Sequence, residues 1–109
     1  MALQEVFGGK DVRNSVSEEE WQTRVDLAVA YRLISDFSGD DLTYNHLSAR
    51  VPGEPNHMLI KPTDIMFSEV TASSLLKYDL EGNPQTEGAS QLWGGGFVIH
   101  CGVMKERPD

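Results

Sequence analysis

Tyr44-Asn45-His46-Leu47-Ser48-Ala49-Arg50-Val51, broken at Pro52-Gly53-Glu54-Pro55-Asn56 and resumed at His57-Met58-Leu59-Ile60-Lys61, carries the pattern of two strands and a turn on which the architecture rests. From Leu42 to Val51 the residues alternate imperfectly between apolar and polar, and the Pro and Gly cluster that follows is turn chemistry. Two antiparallel strands joined by a turn are therefore expected. Pro62-Thr63-Asp64 halts the second strand, since Pro offers no N–H to a ladder. Further on, Thr71 can cap a short helical turn over Ala72 to Leu76. Lys77-Tyr78-Asp79-Leu80, followed by Glu81-Gly82-Asn83-Pro84, reads as another strand running into a hairpin turn. The middle of the chain is thus mainly sheet.

A helix precedes this sheet. Ser17, followed three residues later by Glu20, has the capping-box pattern, in which the Ser oxygen takes an orphan N–H and the Glu carboxylate reaches back to the cap. Trp21, Val25, Leu27, Ala28, Val29, Tyr31 and Ile34 then form an apolar stripe at three- and four-residue steps. Glu18, Gln22, Arg24, Asp26 and Arg32 fall largely outside it. The helix should end near Phe37, where Ser38-Gly39-Asp40-Asp41 supplies turn residues. Residues 1–16 show no sustained period and carry Gly8-Gly9, which reads as a mobile arm or loosely docked lead-in. At the other end, Phe97-Val98-Ile99 favours a strand, whereas Phe97, His100, Cys101 and Met104 share one helical face. Pattern alone leaves that segment open. Pro108 closes it, and Gly94-Gly95-Gly96 reads as a loop in front.

Composition narrows the function. A length of 109 residues allows one domain, and 39% apolar residues supply a core. The net charge of -8, with nine Lys and Arg scattered along the chain, argues against phosphate-backbone binding, so nucleic acid is excluded as a partner. The longest like-charge run is Glu18-Glu19-Glu20, so the acidity belongs to a solvated surface. Cys101 is the single cysteine and has no internal disulfide partner. Met1-Ala2-Leu3-Gln4-Glu5 lacks the basic and apolar regions of a secretory signal, which makes the cytoplasm the expected compartment. No run approaches the ~18 apolar residues of a membrane span.

A zinc ion needs at least three protein ligands. His46, His57 and His100 fall on three different expected elements without metal-ligand spacing, so they read as structural or surface histidines. On the helical reading of the last segment, Cys101 beside His100 is a small buried residue and no dyad forms, because adjacent helical positions diverge by about 100°.

Asp40-Asp41-Leu42-Thr43-Tyr44-Asn45-His46-Leu47-Ser48-Ala49-Arg50-Val51-Pro52-Gly53, Leu59-Ile60-Lys61-Pro62, Glu69-Val70-Thr71-Ala72-Ser73-Ser74-Leu75 and Phe97-Val98-Ile99-His100, taken in order, resemble the class II aldolase/adducin family. The resemblance runs from about Glu19 to Asp109 and is closest to the adducin-like branch. It implies a three-layer α/β/α fold with a mostly antiparallel sheet, and it favours the helical reading of the last segment. In the family's sugar-phosphate aldolases it also implies a zinc ion held by histidines that follow the Arg107-Pro108-Asp109 position. The metal's chemistry is Lewis-acid stabilisation of an enediolate. Where those aldolases carry Ser-Ser-Glu, this chain has Gly94, Gly95 and Gly96, so the acid/base position falls on Gly96. Asn45 and Thr63 match positions that help bind substrate phosphate, while Asp64 replaces the usual glycine and would repel phosphate. Strand-end or turn hydrogen bonding is the competing reading of Asn45, Ser48 and Thr63. Arg50 is expected to pair with a surface or interface carboxylate.

The resulting expectation is an α/β domain, incomplete at its C-terminus. Residues 1–16 form a flexible arm, and residues 17–109 form the N-terminal part of a class II aldolase/adducin domain, inactive alone. Two alternatives stand beside it. One is a full-length zinc-dependent lyase acting on a hydroxy-keto or sugar-phosphate substrate. The other is a noncatalytic, homo-oligomerising, actin-binding module of adducin type.

Overall fold

The computed structural model describes residues 6–38, 47–86, 88–89 and 95–108. Helix α1 (Lys10–Ser15) leads into the long α2 (Glu18–Ser38). Strands β1 (Ser48–Val51) and β2 (Glu54–Ile60), a 3-10 turn at Phe67–Glu69, strand β3 (Leu76–Asp79) and helix α3 (Gly95–Glu106) follow. The three strands form one antiparallel sheet in the order β1-β2-β3. Ser48 stands opposite Ile60, Arg50 opposite Met58, and Met58 opposite Tyr78.

The β1–β2 turn lies at Pro52-Gly53, where Gly53 takes a φ of 78° that an L side chain disfavours. The strand resumes at Glu54, earlier than the sequence suggests, because Pro55 is tolerated within the strand. The turn after β3 is held by Asp79, whose carboxylate accepts the N–H groups of Glu81 and Asn83 at 2.8 and 2.9 Å. The Tyr78–Pro84 bridge then brings the chain back beside β3.

Because strand side chains alternate, each strand splits its residues between two faces. Val51 and Leu59 point at α2 and pack with Leu27, Ala28, Tyr31, Phe67, Val70 and Leu75. Met58, Ile60 and Tyr78 point the other way and pack with Leu80 and Cys101. The sheet is therefore covered by α2 on one face and α3 on the other, giving the expected α/β/α layering over the described residues. Both clusters are dry: Leu59 and Met58 are each 0% exposed. Truncating either to Ala would cost about 2–5 kcal/mol in lost transfer energy and cavity.

Helix α2 starts as expected, with Ser17 Oγ accepting the Glu20 N–H at 3.0 Å. Glu20 does not return the bond. Its carboxylate is 1% exposed and meets Arg24 at 2.8 Å and Lys77 at 2.6 Å, since two cations outbid one orphan amide. Arg24, read from the stripe as outward-facing, is 4% exposed for the same reason.

Of the mobile arm and the docked lead-in considered for residues 1–16, the described residues 6–16 take the docked arrangement. Val6 is fully buried in the α2-side core, and the ring of Phe7 sits 6.3 Å from that of Trp21. The carbonyls of Val6 and Phe7 accept the N–H groups of Ala72 and Ser73 at 2.6 and 3.2 Å. A short segment lacks a visible period, yet two apolar residues and two backbone bonds suffice to dock it. Residues 1–5 lie outside the described set.

Helix α3 settles the open C-terminal reading. Cys101 and Met104 face the core, while Val98, Ile99 and Val103 stand 64%, 66% and 58% exposed. Gly95 and Gly96 belong to its first turn instead of the expected loop.

Candidate functional site

The end of β2 presents the one sequence-expected contact that can be placed. Thr63 sits exposed on the turn after Pro62, and Asp64 beside it is exposed too. Asn45 and His46 lie outside the described residues. The turn is anchored from within. Lys61 is 3% exposed and its Nζ donates to the carbonyls of Pro62 and Ile65, both at 3.0 Å, 5.9 Å from the centre of the Phe67 ring. Burial pushes the Lys61 amine below its ordinary range, and the nearby Asp64 carboxylate works against that.

Tyr31, reaching from α2, closes the other side. Its hydroxyl accepts the Leu47 N–H at 2.7 Å and the Lys61 N–H at 3.4 Å, and donates to the Leu47 carbonyl. Burial pushes the phenol up to about 12, against the backbone bonds to Leu47 and Lys61 that favour the anion. An edge-on contact with Phe67, 4.6 Å between centroids at 86°, fixes the ring.

On the α3 side, the sheet register brings two more motif residues together. Ser48 Oγ and His100 Nδ1 are 2.6 Å apart, linking β1 to α3. Arg50, expected against a carboxylate, takes backbone carbonyls instead, at Pro55 (2.5 Å), Met104 (2.7 Å) and Arg107 (2.7 Å). A helix C-terminus offers unsatisfied carbonyls and partial negative charge, so it serves a guanidinium as well as a side chain would. Cys101 is buried as expected, and burial pushes its thiol pKa up.

On the α2 side, a polar chain runs Arg24–Glu20–Lys77–Glu54–His57, with Lys77 3.2 Å from Glu54 and Glu54 2.7 Å from His57. The His57 bond, with help from Lys77, holds the Glu54 carboxyl below its ordinary value against partial desolvation. A cleft of about 410 Å³ opens beside this chain, walled by Asp11, Ser15, Arg24, Ser73, Lys77 and Thr86. Thr63 is not among its described walls.

The family's zinc does not fit the described residues. Among them no three His, Cys, Asp or Glu side chains come together. His57 is engaged with Glu54 and His100 with Ser48. Sequence reasoning missed Tyr31, Lys61 and the Glu20 chain. A hydroxyl on an otherwise apolar stripe was the available signal for Tyr31, and Glu20, three residues past Ser17, carried only the signal of a capping box.

Comparison with known proteins agrees with this architecture. Residues 25–109 match the Class II Aldolase and Adducin N-terminal domain. An aldolase class 2 type protein of Caulobacter vibrioides is 47% identical over 98 residues, covering 90% of this chain and 38% of that protein. Mouse alpha-adducin is 40% identical over 115 residues, covering all of this chain and 16% of adducin. Among solved structures, an aldolase II superfamily protein from Pseudomonas syringae superposes with a TM-score of 0.80 at 41% identity, covering 89% of this chain and 39% of that one. The L-fuculose 1-phosphate aldolase of Glaciozyma antarctica gives 0.73 at 28% identity, covering 83% and 37%. The chain thus spans well under half the length of the relatives it matches. The match over residues 25–109 and the 47% identity to the Caulobacter protein place this chain in the class II aldolase/adducin family.

Proposed function

We propose that this chain supplies the substrate-holding part of a class II aldolase/adducin domain and does not itself hold the domain's zinc. The observation that carries this reading is the exposed Thr63 turn, anchored by the buried Lys61 and Tyr31, in a chain whose described histidines are already engaged. Thr63, with Asn45, is the proposed oxygen contact. Asp64 and the net charge of -8 favour an uncharged hydroxy-keto compound over a sugar phosphate, because a carboxylate beside the contact repels a dianion. The acid/base position at Gly96 has no proton to transfer. Cytoplasmic residence is part of the same proposal; no helix among the described residues is long and apolar enough to cross a membrane.

Amide NMR on the 109-residue chain tests it, with dihydroxyacetone and inorganic phosphate as separate probes. Dihydroxyacetone should perturb the Thr63 amide with a Kd of roughly millimolar, Thr63→Val should weaken it, and phosphate should leave Thr63 unmoved. A response to phosphate alone, or to neither probe, rejects the reading.

A second reading, an adducin-like oligomerisation or actin-binding module, is favoured by the exposed Val98, Ile99 and Val103 face of α3. Co-sedimentation with actin filaments separates the two. Pelleting with filaments supports the module, and retention in the supernatant removes it.

A further inference from the structure

The β1–β2 register pairs Ser48 with Ile60, and one step outward it would set Leu47 against Lys61. That pair lies outside both strands. The Tyr31 hydroxyl stands where it would have closed, accepting the Leu47 and Lys61 N–H groups and donating to the Leu47 carbonyl. A phenol has one proton and two lone pairs, so its whole hydrogen-bonding capacity is used by three backbone groups. The side chain is 0% exposed. Beyond this point the chain leaves β2 through Lys61, whose Nζ bonds the carbonyls of Pro62 and Ile65, and returns at Phe67, whose ring meets Tyr31 edge-on. Tyr31 therefore touches both ends of the segment that displays Thr63.

We infer that Tyr31 is a positioning residue: its hydroxyl ends the β1–β2 ladder at Ser48 and Ile60, so that the chain turns outward and presents Thr63. The inference rests on the reading of Thr63 as a substrate contact. Without the hydroxyl, three backbone groups lose their partner, and the strands either close on each other or loosen. Both outcomes move the turn, and neither needs a change elsewhere in the sheet.

Tyr31→Phe keeps the ring and removes the oxygen. In the 109-residue chain the variant should shift the Thr63 amide resonance, leave the mid-sheet Leu59 amide in place, and weaken dihydroxyacetone binding by about threefold or more. An unmoved Thr63 resonance with unchanged affinity overturns the inference. If the unmutated chain binds no dihydroxyacetone, the proposed function fails, while the Thr63 resonance still decides the positioning role. If the variant does not fold, the unmutated chain decides: the shielded Tyr31 hydroxyl proton should give a resolved signal with cross-relaxation to the Leu47 and Lys61 amides. Its absence overturns the inference.

Discussion

Tyr31 suits its site only as the neutral phenol, because burial penalises the anion. Its folded-state pKa is raised from 10.0 to about 12, so the contribution is complete below pH 10 and is lost as pH climbs towards 12. Over that window the unmutated chain should lose about 2–3 kcal/mol relative to Tyr31→Phe, whose urea-unfolding free energy lacks this titration. Around neutral pH the order reverses, and the variant should be the weaker by about 1–3 kcal/mol for its orphaned amides. Arg24 is the other decisive single residue. Its guanidinium bonds Glu20 and the carbonyls of Ala72 and Leu75 at 3.1 and 3.0 Å, all in a buried setting. Arg24→Ala leaves those oxygens without a donor and Glu20 with Lys77 alone. A loss of about 3–5 kcal/mol in urea unfolding is expected.

Among the elements, α3 depends on β1 for its C-terminal end. Arg50 holds the Met104 and Arg107 carbonyls, and Ser48 holds His100, so the helix is pinned at two points by one short strand. Arg50→Ala should speed amide exchange over residues 103–107 and leave α2 unchanged; equal protection in both proteins would show that the cap is not what holds the end. The β2–α2 side responds to acid. Glu54 has a lowered folded-state pKa, so its contribution is present above its unfolded value of 4.5 and is lost as pH falls through the lower folded one. His57→Ala removes the largest cause, and the Glu54 carboxyl, followed by carbon NMR, should titrate closer to 4.5. At this scale the sequence is informative for α2 and the β1–β2 turn, because an apolar period and a Pro-Gly break are local signals. It is silent on the 3-10 turn at Phe67–Glu69, which the Glu69 carboxylate holds through the Met66 N–H at 2.9 Å.

For the molecule as a whole, the sheet is covered on both faces over the described residues, while α3 turns Val98, Ile99 and Val103 to solvent. An apolar helix face of this kind favours association in water. The purified chain should bind a hydrophobic dye and sediment as more than a monomer at high concentration. Ile99→Asp combined with Val103→Asp should abolish both, since neither side chain supports the core. A monomeric, dye-silent unmutated chain would show that this face is tolerated in water.

Helix α2, the strand pairing around Pro52-Gly53 and the family are legible in the amino-acid order alone. Ser17 and the α2 stripe, the Pro52-Gly53 turn, and the series of blocks from Tyr44 to His100 are contiguous features, read along the chain without knowing what they touch. The Thr63 turn was legible for the same reason, through Pro62. Tertiary structure alone decided who meets whom. Glu20 finds Lys77 across 57 residues, Arg50 finds Met104 across 54, and Tyr31 finds Leu47 and Lys61 across 16 and 30. Such pairs join polar groups that share no local pattern. They form because burial leaves each group a choice between a partner and a costly unsatisfied state, and only the packed layers determine which partner stands within reach.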